Sequence, residues 1–225
     1  MRDNLNYTTP FVVIVALFTG ALITSNIIGV KLIAISGIVV SAGIITFPIN
    51  YIFGDVLTEV YGYRKARLVI WLGFFCNLIT VIAIWIGQML PPAPFWDGHA
   101  AYERILGYTP RILLASFAAY IVGEFTNSYI MAKMKIATKG KRLWMRTISS
   151  TIAGQGIDTF VFTVIAFGGT CPLQAVISII ITEWVIKSLY EALFTPVTYK
   201  VVAFLKRYEG QDVYDYSTRF NPFLI

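Results

Sequence analysis

Residues 47–67 carry the sequence FPINYIFGDVLTEVYGYRKAR, which places two acids inside an apolar run and three cations directly after it. Asp55 and Glu59 are four residues apart, so in a helix they share one face. A charged group at the centre of a bilayer costs at least about 2.5 to 3.5 kcal/mol on insertion scales. Lipid cannot solvate these acids, so a membrane helix must turn them toward other helices or a water-filled cavity. This stretch therefore predicts a bundle of membrane helices with a polar interior.

The composition of the whole chain is typical of a membrane protein. Hydrophobic residues make up 57% of the 225 residues and charged residues only 13%, whereas a soluble domain carries about 25% charged residues. A bilayer core needs about 20 apolar residues in a helix. Six stretches qualify, at residues 11–30, 41–61, 68–90, 112–132, 147–167 and 172–205. We therefore predict an all-α membrane protein, a six-transmembrane-helix bundle in which residues 1–225 form a single integral membrane transport domain.

Prolines mark where the predicted helices end or bend. The longest loop, residues 91–111, opens with PPAPFW, and its prolines prevent the preceding helix from continuing. The last apolar stretch is longer than a bilayer requires, so it is expected to tilt, or to break or kink at Pro196, where an intrahelical hydrogen bond is lost. The tail at residues 208–225 is polar and is expected to lie outside the bilayer.

Cations cluster on one side of the predicted bundle. They occur at residues 64–67, 133–146 and 200–207, while the loops on the opposite side carry few and mixed charges. Cytoplasmic loops of membrane proteins are rich in Lys and Arg, so both termini are predicted to be cytoplasmic, as six crossings also require. The net charge of +6 is then explained by topology and by contact with anionic membrane lipid, and no nucleic-acid partner is predicted.

The chain lacks the residues that metal, nucleotide and hydrolase sites require. Cys76 and Cys171 are expected far apart and His99 is the sole histidine, so no metal site and no cofactor are predicted. Neither a GxxxxGK[ST] phosphate loop nor an HExxH motif occurs. An intramembrane hydrolase could use Asp55 and Asp158 as a proton-sharing pair, but the surrounding GQGIDT lacks the GxGD of such enzymes. The chain is therefore predicted not to be an enzyme.

Every predicted helix carries polar side chains at membrane depth. The ionisable ones are Asp55, Glu59, Glu124, Asp158, Glu183, Lys187 and Glu191, and the amides are Asn26, Asn50, Asn77, Asn127 and Gln155. Glu183, Lys187 and Glu191 form one stripe, in which the lysine can neutralise a neighbouring acid. Interhelical hydrogen bonding would explain part of this set. Three acids have no basic partner in their own helix, which favours a path for a ligand or an ion.

Two rows of small residues predict close contacts between helices. Residues four apart lie on one helix face, and small side chains there let two backbones approach. The first row is Ala115, Ala119 and Gly123, and the second row is Ala16, Gly20 and Thr24.

Five segments resemble the queuosine precursor transporter family, also known as the vitamin uptake transporters. They are SNIIGVK at 25–31, the stretch at 47–67, PPAPFW at 91–96, GQGIDT at 154–159 and YDYSTRFNPF at 214–223. The resemblance implies uptake of 7-deazaguanine bases across the bacterial inner membrane. Such bases are 7-cyano-7-deazaguanine, 7-aminomethyl-7-deazaguanine and queuine. A small deazapurine base is thus the expected partner.

The resemblance also implies roles for the buried polar residues. Asp158 and Gln155 are expected to read the edge of the base, because carboxylates and amides pair with its donors and acceptors. Asp55 and Glu124 are expected on a second wall of the site. The other expected binding residues are Asn127, Asn50 and Glu183, with Phe47, Tyr51 and Trp184 as aromatic faces. Glu59, Lys187 and Glu191 are expected to gate the path or balance charge.

Some alternatives remain open at this point. Three helices in each half, with Asp55 and Asp158 each on a middle helix, are compatible with a 3+3 inverted repeat around a midplane site. A chain of this size could also be the substrate-binding membrane subunit of a multi-component transporter with ATPase partners. Proton coupling, the preferred base and a homodimer are not decided by the sequence.

Overall fold

The backbone of the protein is mostly helical. A computed structural model describes residues 7–35, 38–107, 110–170 and 172–224. Within these ranges the α-helices are α1 Thr9–Ile28, α2 Phe47–Tyr61, α3 Tyr63–Met89, α4 His99–Leu106, α5 Pro110–Ala137, α6 Leu143–Phe167 and α7 Leu173–Glu209. A short antiparallel hairpin pairs β1 Leu32–Ile35 with β2 Ile38–Ser41, and a 3-10 turn at Ala42–Ile45 leads into α2.

The outer surface of the helices is that of a membrane protein. Among the described residues, four stretches are long and apolar enough to cross a bilayer, namely Thr9–Ile28, Tyr63–Met89, Leu143–Phe167 and the segment His99–Ala137, which contains α4 and α5. Large apolar side chains face outward, with Ile79, Leu114 and Leu193 exposed to 66%, 68% and 72%, while many polar side chains are buried. Water-soluble proteins show the opposite arrangement for polar groups. The protein is therefore a multi-pass helical membrane protein, and six crossings remain a prediction.

The segment before α2 differs from the prediction. Sequence analysis starts the second membrane helix at residue 41, whereas α2 begins at Phe47 and the residues before it form the hairpin and the 3-10 turn. The β-branched run at residues 38–40 favours a strand. Pro48 lies in the first turn of α2, where its missing N–H needs no partner. With 15 residues, α2 is about 22 Å long, shorter than a bilayer core of about 30 Å.

The other helices run further than hydropathy predicts. Helices α3, α5, α6 and α7 extend into the cationic segments that were expected to be loops. Lys135, Arg146 and Lys206 in these extensions pair with Glu59, so their side chains need not leave the helical packing. Arg67 donates to backbone carbonyls of the tail. The structure also keeps α7 helical on both sides of Pro196, so the break considered at that proline is wrong.

Charged residues from several helices meet at one end of the bundle, which we call the basic end. Its main members are Lys135 on α5, Arg146 on α6 and Lys206 on α7. Helices α2, α5 and α7 end here, and α3 and α6 begin here. The first turn of α1 is also here, since the Thr8 hydroxyl donates a hydrogen bond of 2.5 Å to Glu209.

The polar tail packs across the basic end. The Asp215 carboxylate accepts a hydrogen bond of 3.0 Å from the backbone N–H of Tyr63, at the start of α3. Arg67 donates to the carbonyl of Asn221 over 2.8 Å. Gly62, between α2 and α3, has a φ of +82°, and a Cβ there would clash with the tail. The tail therefore fixes the junction of α2 and α3.

Candidate functional site

A cavity of about 620 Å³ lies between the helices on the side away from the basic end. It extends to Val30, Ile112 and Phe167, which lie at or next to helix ends remote from the basic end. Its polar lining residues are Ser25, Asn26, Asn50, Tyr51, Asn77, Thr80, Ser116, Tyr120, Glu124, Gln155, Asp158, Glu183 and Lys187. The volume falls within the range of about 300 to 1,000 Å³ that is usual for small-molecule sites.

An ion-paired group forms the wall between α6 and α7. The Lys187 ammonium donates to Asp158 over 3.0 Å and to the Thr159 hydroxyl over 3.2 Å. The nearest oxygen of Glu183 lies 3.9 Å from the same ammonium. Lys187 therefore neutralises Asp158 across the helix interface, and Glu183 one turn away in part. Within the described ranges, no group of three or more His, Cys, Asp or Glu side chains is arranged to hold a metal ion.

Glu124 on α5 also lines the cavity. A Cβ built at Gly54 on α2 would lie 3.8 Å from Glu124 Oε2, so Glu124 points toward α2. In the described part of the chain Glu124 makes no hydrogen bond or ion pair. Ser116 and Tyr120 precede it at intervals of four residues and line the cavity as well. Sequence reasoning did not single out these two residues, although their spacing from Glu124 places them on its face.

Glycines bring α5 and α6 together behind this wall. A Cβ at Gly123 would lie 2.7 Å from the Cβ of Asp158, and one at Gly154 would lie 2.8 Å from the Cβ of Asn127. The close contact predicted for the row that ends at Gly123 is therefore confirmed. The other predicted row is wrong at Gly20, because no described atom outside its own surroundings lies within 4 Å of a Cβ built there.

Two of the predicted binding residues, Asp55 and Asn127, lie between the cavity and the basic end and do not line the cavity. Asp55 is 1% exposed, and its Oδ1 accepts a hydrogen bond of 3.1 Å from the Asn127 amide. Glu191, predicted to gate or balance charge, is also 1% exposed and lies outside the lining. Asp55 and Glu191 lie about one helical turn from the cavity, because Tyr51 precedes Asp55 by four residues, Lys187 precedes Glu191 by four residues, and both line the cavity.

Among the described residues, Tyr51 is the only one of the three predicted aromatic residues that lies in the cavity wall. Tyr51 is buried and lines the cavity. Trp184 is 37% exposed, and its indole N–H donates to the carbonyl of Ile152 over 2.8 Å, so its ring lies on the outer side of the α6–α7 contact. The side chain of Phe47 falls outside the described part of the structure. Asn50 and Gln155 both line the cavity.

Glu59 is held in a cluster of cations at the basic end. It is completely buried, and Arg146 donates two hydrogen bonds to it, of 2.8 and 2.7 Å. Lys206 donates to it over 2.5 Å, and the Lys135 ammonium lies 3.7 Å away. Burial alone would raise the pKa of Asp212, but its hydrogen bonds from Lys135 and Lys206 outweigh burial and hold this pKa below its usual value. The cluster joins α2, α5, α6 and α7 at this end.

The sequence of the chain is similar to those of known transporters. Residues 41–201 match the family described as "Putative vitamin uptake transporter". The chain is 32% identical over 181 residues to a "Probable queuosine precursor transporter" of Bacillus subtilis (strain 168), across 80% of this chain and 79% of the relative. It is 30% identical over 125 residues to a protein of the same name from Haemophilus influenzae (strain ATCC 51907 / DSM 11121 / KW20 / Rd), across 56% and 51%.

A third relative comes from Escherichia coli (strain K12). It is named "Queuosine precursor transporter", and it is 28% identical to the chain over 154 residues, across 68% of this chain and 66% of the relative. No solved structure matches the chain.

Proposed function

The chain belongs to this vitamin uptake transporter family and is a transporter rather than an enzyme, and from this premise we propose that it takes up queuosine precursors across the bacterial inner membrane. The candidate substrates are 7-cyano-7-deazaguanine, 7-aminomethyl-7-deazaguanine and queuine. The names of the three relatives support this substrate class. The observation that carries the proposal is a cavity of about 620 Å³ whose wall combines carboxylates, amides and aromatic rings.

The chemistry of the cavity wall suits a guanine-like base. Such a base presents N1–H and an exocyclic NH₂ as adjacent donors, and one carboxylate can accept from both. Glu124 is available for this contact because it makes no hydrogen bond or ion pair within the described residues. The Gln155 amide can donate to the carbonyl of the base. The rings of Tyr51 and Phe162, which also line the cavity, can stack on its faces.

The residue proposed here for the principal contact with the base differs from the one that the sequence predicts. Asp158 was expected to read the base edge, but one of its oxygens already accepts a hydrogen bond from Lys187. We therefore assign the principal contact to Glu124 and the second wall to Asp158 with Gln155, Asn50 and Glu183. A cationic aminomethyl arm would suit Glu183, whose side chain is 39% exposed. Asp55 and Asn127 act below the cavity, and Trp184 is left out of the site.

The orientation follows from the charge of the basic end. Cytoplasmic segments are rich in Lys and Arg, so the basic end and both termini are assigned to the cytoplasm. Helices α1, α2, α3, α5, α6 and α7 then make the six crossings. The cavity accordingly faces the outside, where an imported base arrives. The Glu59 cluster is the gate on the cytoplasmic side, and it must open before the base can leave.

Substitutions at the ion pair separate binding from folding. Asp158→Asn leaves Lys187 buried without its nearest carboxylate, so we expect uptake to fall at least ~10-fold and the protein to be less stable. Adding Lys187→Met removes the unpaired cation, so stability should recover while uptake stays low. Uptake of a radiolabelled base into liposomes and thermal unfolding in detergent measure the two effects. Full uptake by the double variant would remove Asp158 from the binding site.

The proposed activity is tested with the chain alone. It is expressed in a strain that lacks both precursor synthesis and its own transporter, and each of the three bases is supplied at limiting concentration. We expect queuosine to appear in tRNA with at least one base. Purified chain in liposomes should then take up that base without any partner. Uptake that requires an ATPase subunit would favour the multi-component alternative instead.

A further inference from the structure

Two buried carboxyl groups have no part in the proposed contacts with the substrate. Asp55 on α2 and Glu191 on α7 are each 1% exposed, and neither lines the cavity. Acids at such positions are rare in membrane proteins and are kept where they perform a task.

The hydrogen bonding of these two acids is incomplete. Asp55 Oδ1 accepts from Asn127, but Asp55 Oδ2 and both carboxylate oxygens of Glu191 have no hydrogen-bond partner among the described residues. Glu59, one turn further along α2, is instead held by Arg146 and Lys206. Buried polar groups are nearly always hydrogen-bonded, so unpartnered carboxyl oxygens need an explanation.

Their position links the cavity to the basic end. Tyr51 lines the cavity, and Asp55 and Glu59 follow it at intervals of four residues on the same face of α2. On α7, Lys187 lines the cavity and Glu191 follows four residues later. The two acids therefore form a layer below the cavity and above the Glu59 cluster.

Among the residues that the structure describes, no cation forms an ion pair with either of these two carboxyl groups. Asp55 interacts electrostatically with Glu191, Glu124 and Glu59, all of which are acids. The cation on the same stripe as Glu191 is Lys187, which is already paired with Asp158 on α6. An ionised carboxylate without a partner is so unfavourable in an apolar interior that it takes up a proton instead.

We infer that Asp55 and Glu191 are the proton-binding site of the transporter, and that each inward transport of substrate carries a proton with it. This inference rests on the proposed function. A carboxylate of the pair takes one proton from the compartment that the cavity faces and becomes a neutral acid. When the gate at the basic end opens, the same proton leaves toward the cytoplasm together with the base, so one proton enters for each molecule imported.

The test uses the full chain in liposomes and radiolabelled 7-cyano-7-deazaguanine, which is neutral. Valinomycin with equal potassium on both sides holds the membrane potential at zero. With one proton per substrate, an outside pH one unit below the inside pH should drive accumulation of about tenfold. A pH-sensitive dye inside the liposomes should report acidification when substrate is added. Glu191→Gln should lose both effects, while the matched change at an exposed acid, Glu103→Gln, should keep them.

Exchange of labelled for unlabelled substrate separates the two possible failures, because exchange needs no net proton movement. Exchange by the native chain without pH-driven accumulation or acidification would overturn the proton site and leave the transport function standing. The same holds if Glu191→Gln keeps both proton effects. Absence of exchange with all three bases would overturn the transport function, and the proton site with it.

Discussion

Replacing Glu124 by Gln is expected to reduce the initial rate of uptake on the order of 100-fold. The reason is that a carboxylate accepts from both donors of the base edge, whereas the Gln amide presents an NH₂ group to one of them. The Gln oxygen still accepts from the other donor, so one charge-assisted hydrogen bond is lost. Such a bond contributes about 1.5 to 3 kcal/mol, and its loss lowers the rate roughly 10- to 150-fold. The rate is measured in liposomes with saturating and with limiting base.

Stability distinguishes this effect from misfolding. Glu124 makes no ion pair in the described ranges, so Glu124→Gln should unfold in detergent at nearly the same temperature as the native protein. Glu103→Gln, on the exposed helix α4, is the matched control and should transport normally. Uptake by Glu124→Gln within a few-fold of the native rate would remove Glu124 from the binding site.

The second large effect is expected at Glu59. Glu59→Gln leaves the buried cations Arg146 and Lys135, which are 1% and 2% exposed, without their shared carboxylate. Breaking a buried ion pair by removing one partner costs about 3 to 5 kcal/mol. We therefore expect a lower free energy of unfolding and less protein in the membrane, measured by denaturant unfolding in detergent and by size-exclusion of a fluorescent fusion.

Asp212→Asn provides a comparison within the same cluster. The Asp212 side chain is 41% exposed, and Glu59 stays in place to pair with Lys135 and Lys206, so the loss should be much smaller. Equal stability of Glu59→Gln and the native chain would show that the cluster does not hold the basic end together. If Glu59→Gln folds fully but does not transport, Glu59 acts only in the gate and does not stabilise the fold.

The sequence predicts acids in the interior of the bundle, and Asp55, Glu59 and Glu191 are indeed buried. It does not predict how these acids separate into layers. Spacing places Asp55 and Glu59 on one face of α2, but it cannot tell that Asp55 lies below a cavity and Glu59 among cations. Those positions depend on how α2 packs against α5, α6 and α7. The same limit explains Trp184, since its distance in sequence from Glu183 does not reveal that it faces outward.

The cations were interpreted less well. Hydropathy places Lys135 and Arg146 in a cytoplasmic loop, because it ends the fourth span before Lys135 and starts the fifth after Arg146. In the structure these two residues are buried inside helices, where they bind Glu59 from a distant part of the chain. Hydropathy averages over a window and has no information about such pairs. Hydropathy also starts the second helix too early, because Pro48 and the β-branched residues before it belong to one apolar run.

The central claim is that the substrate occupies the cavity, and protection of a cysteine in the cavity wall tests it most directly. Cys76 and Cys171 are replaced by Ser, and Ser116→Cys is introduced in the cavity wall or, as a control, Thr126→Cys elsewhere on α5, outside the cavity lining. The rate of modification by a small thiol reagent is measured with and without the base that the chain transports. We predict that the base slows modification at position 116 at least several-fold and leaves position 126 unchanged. Equal rates at position 116 with and without saturating base would contradict the account.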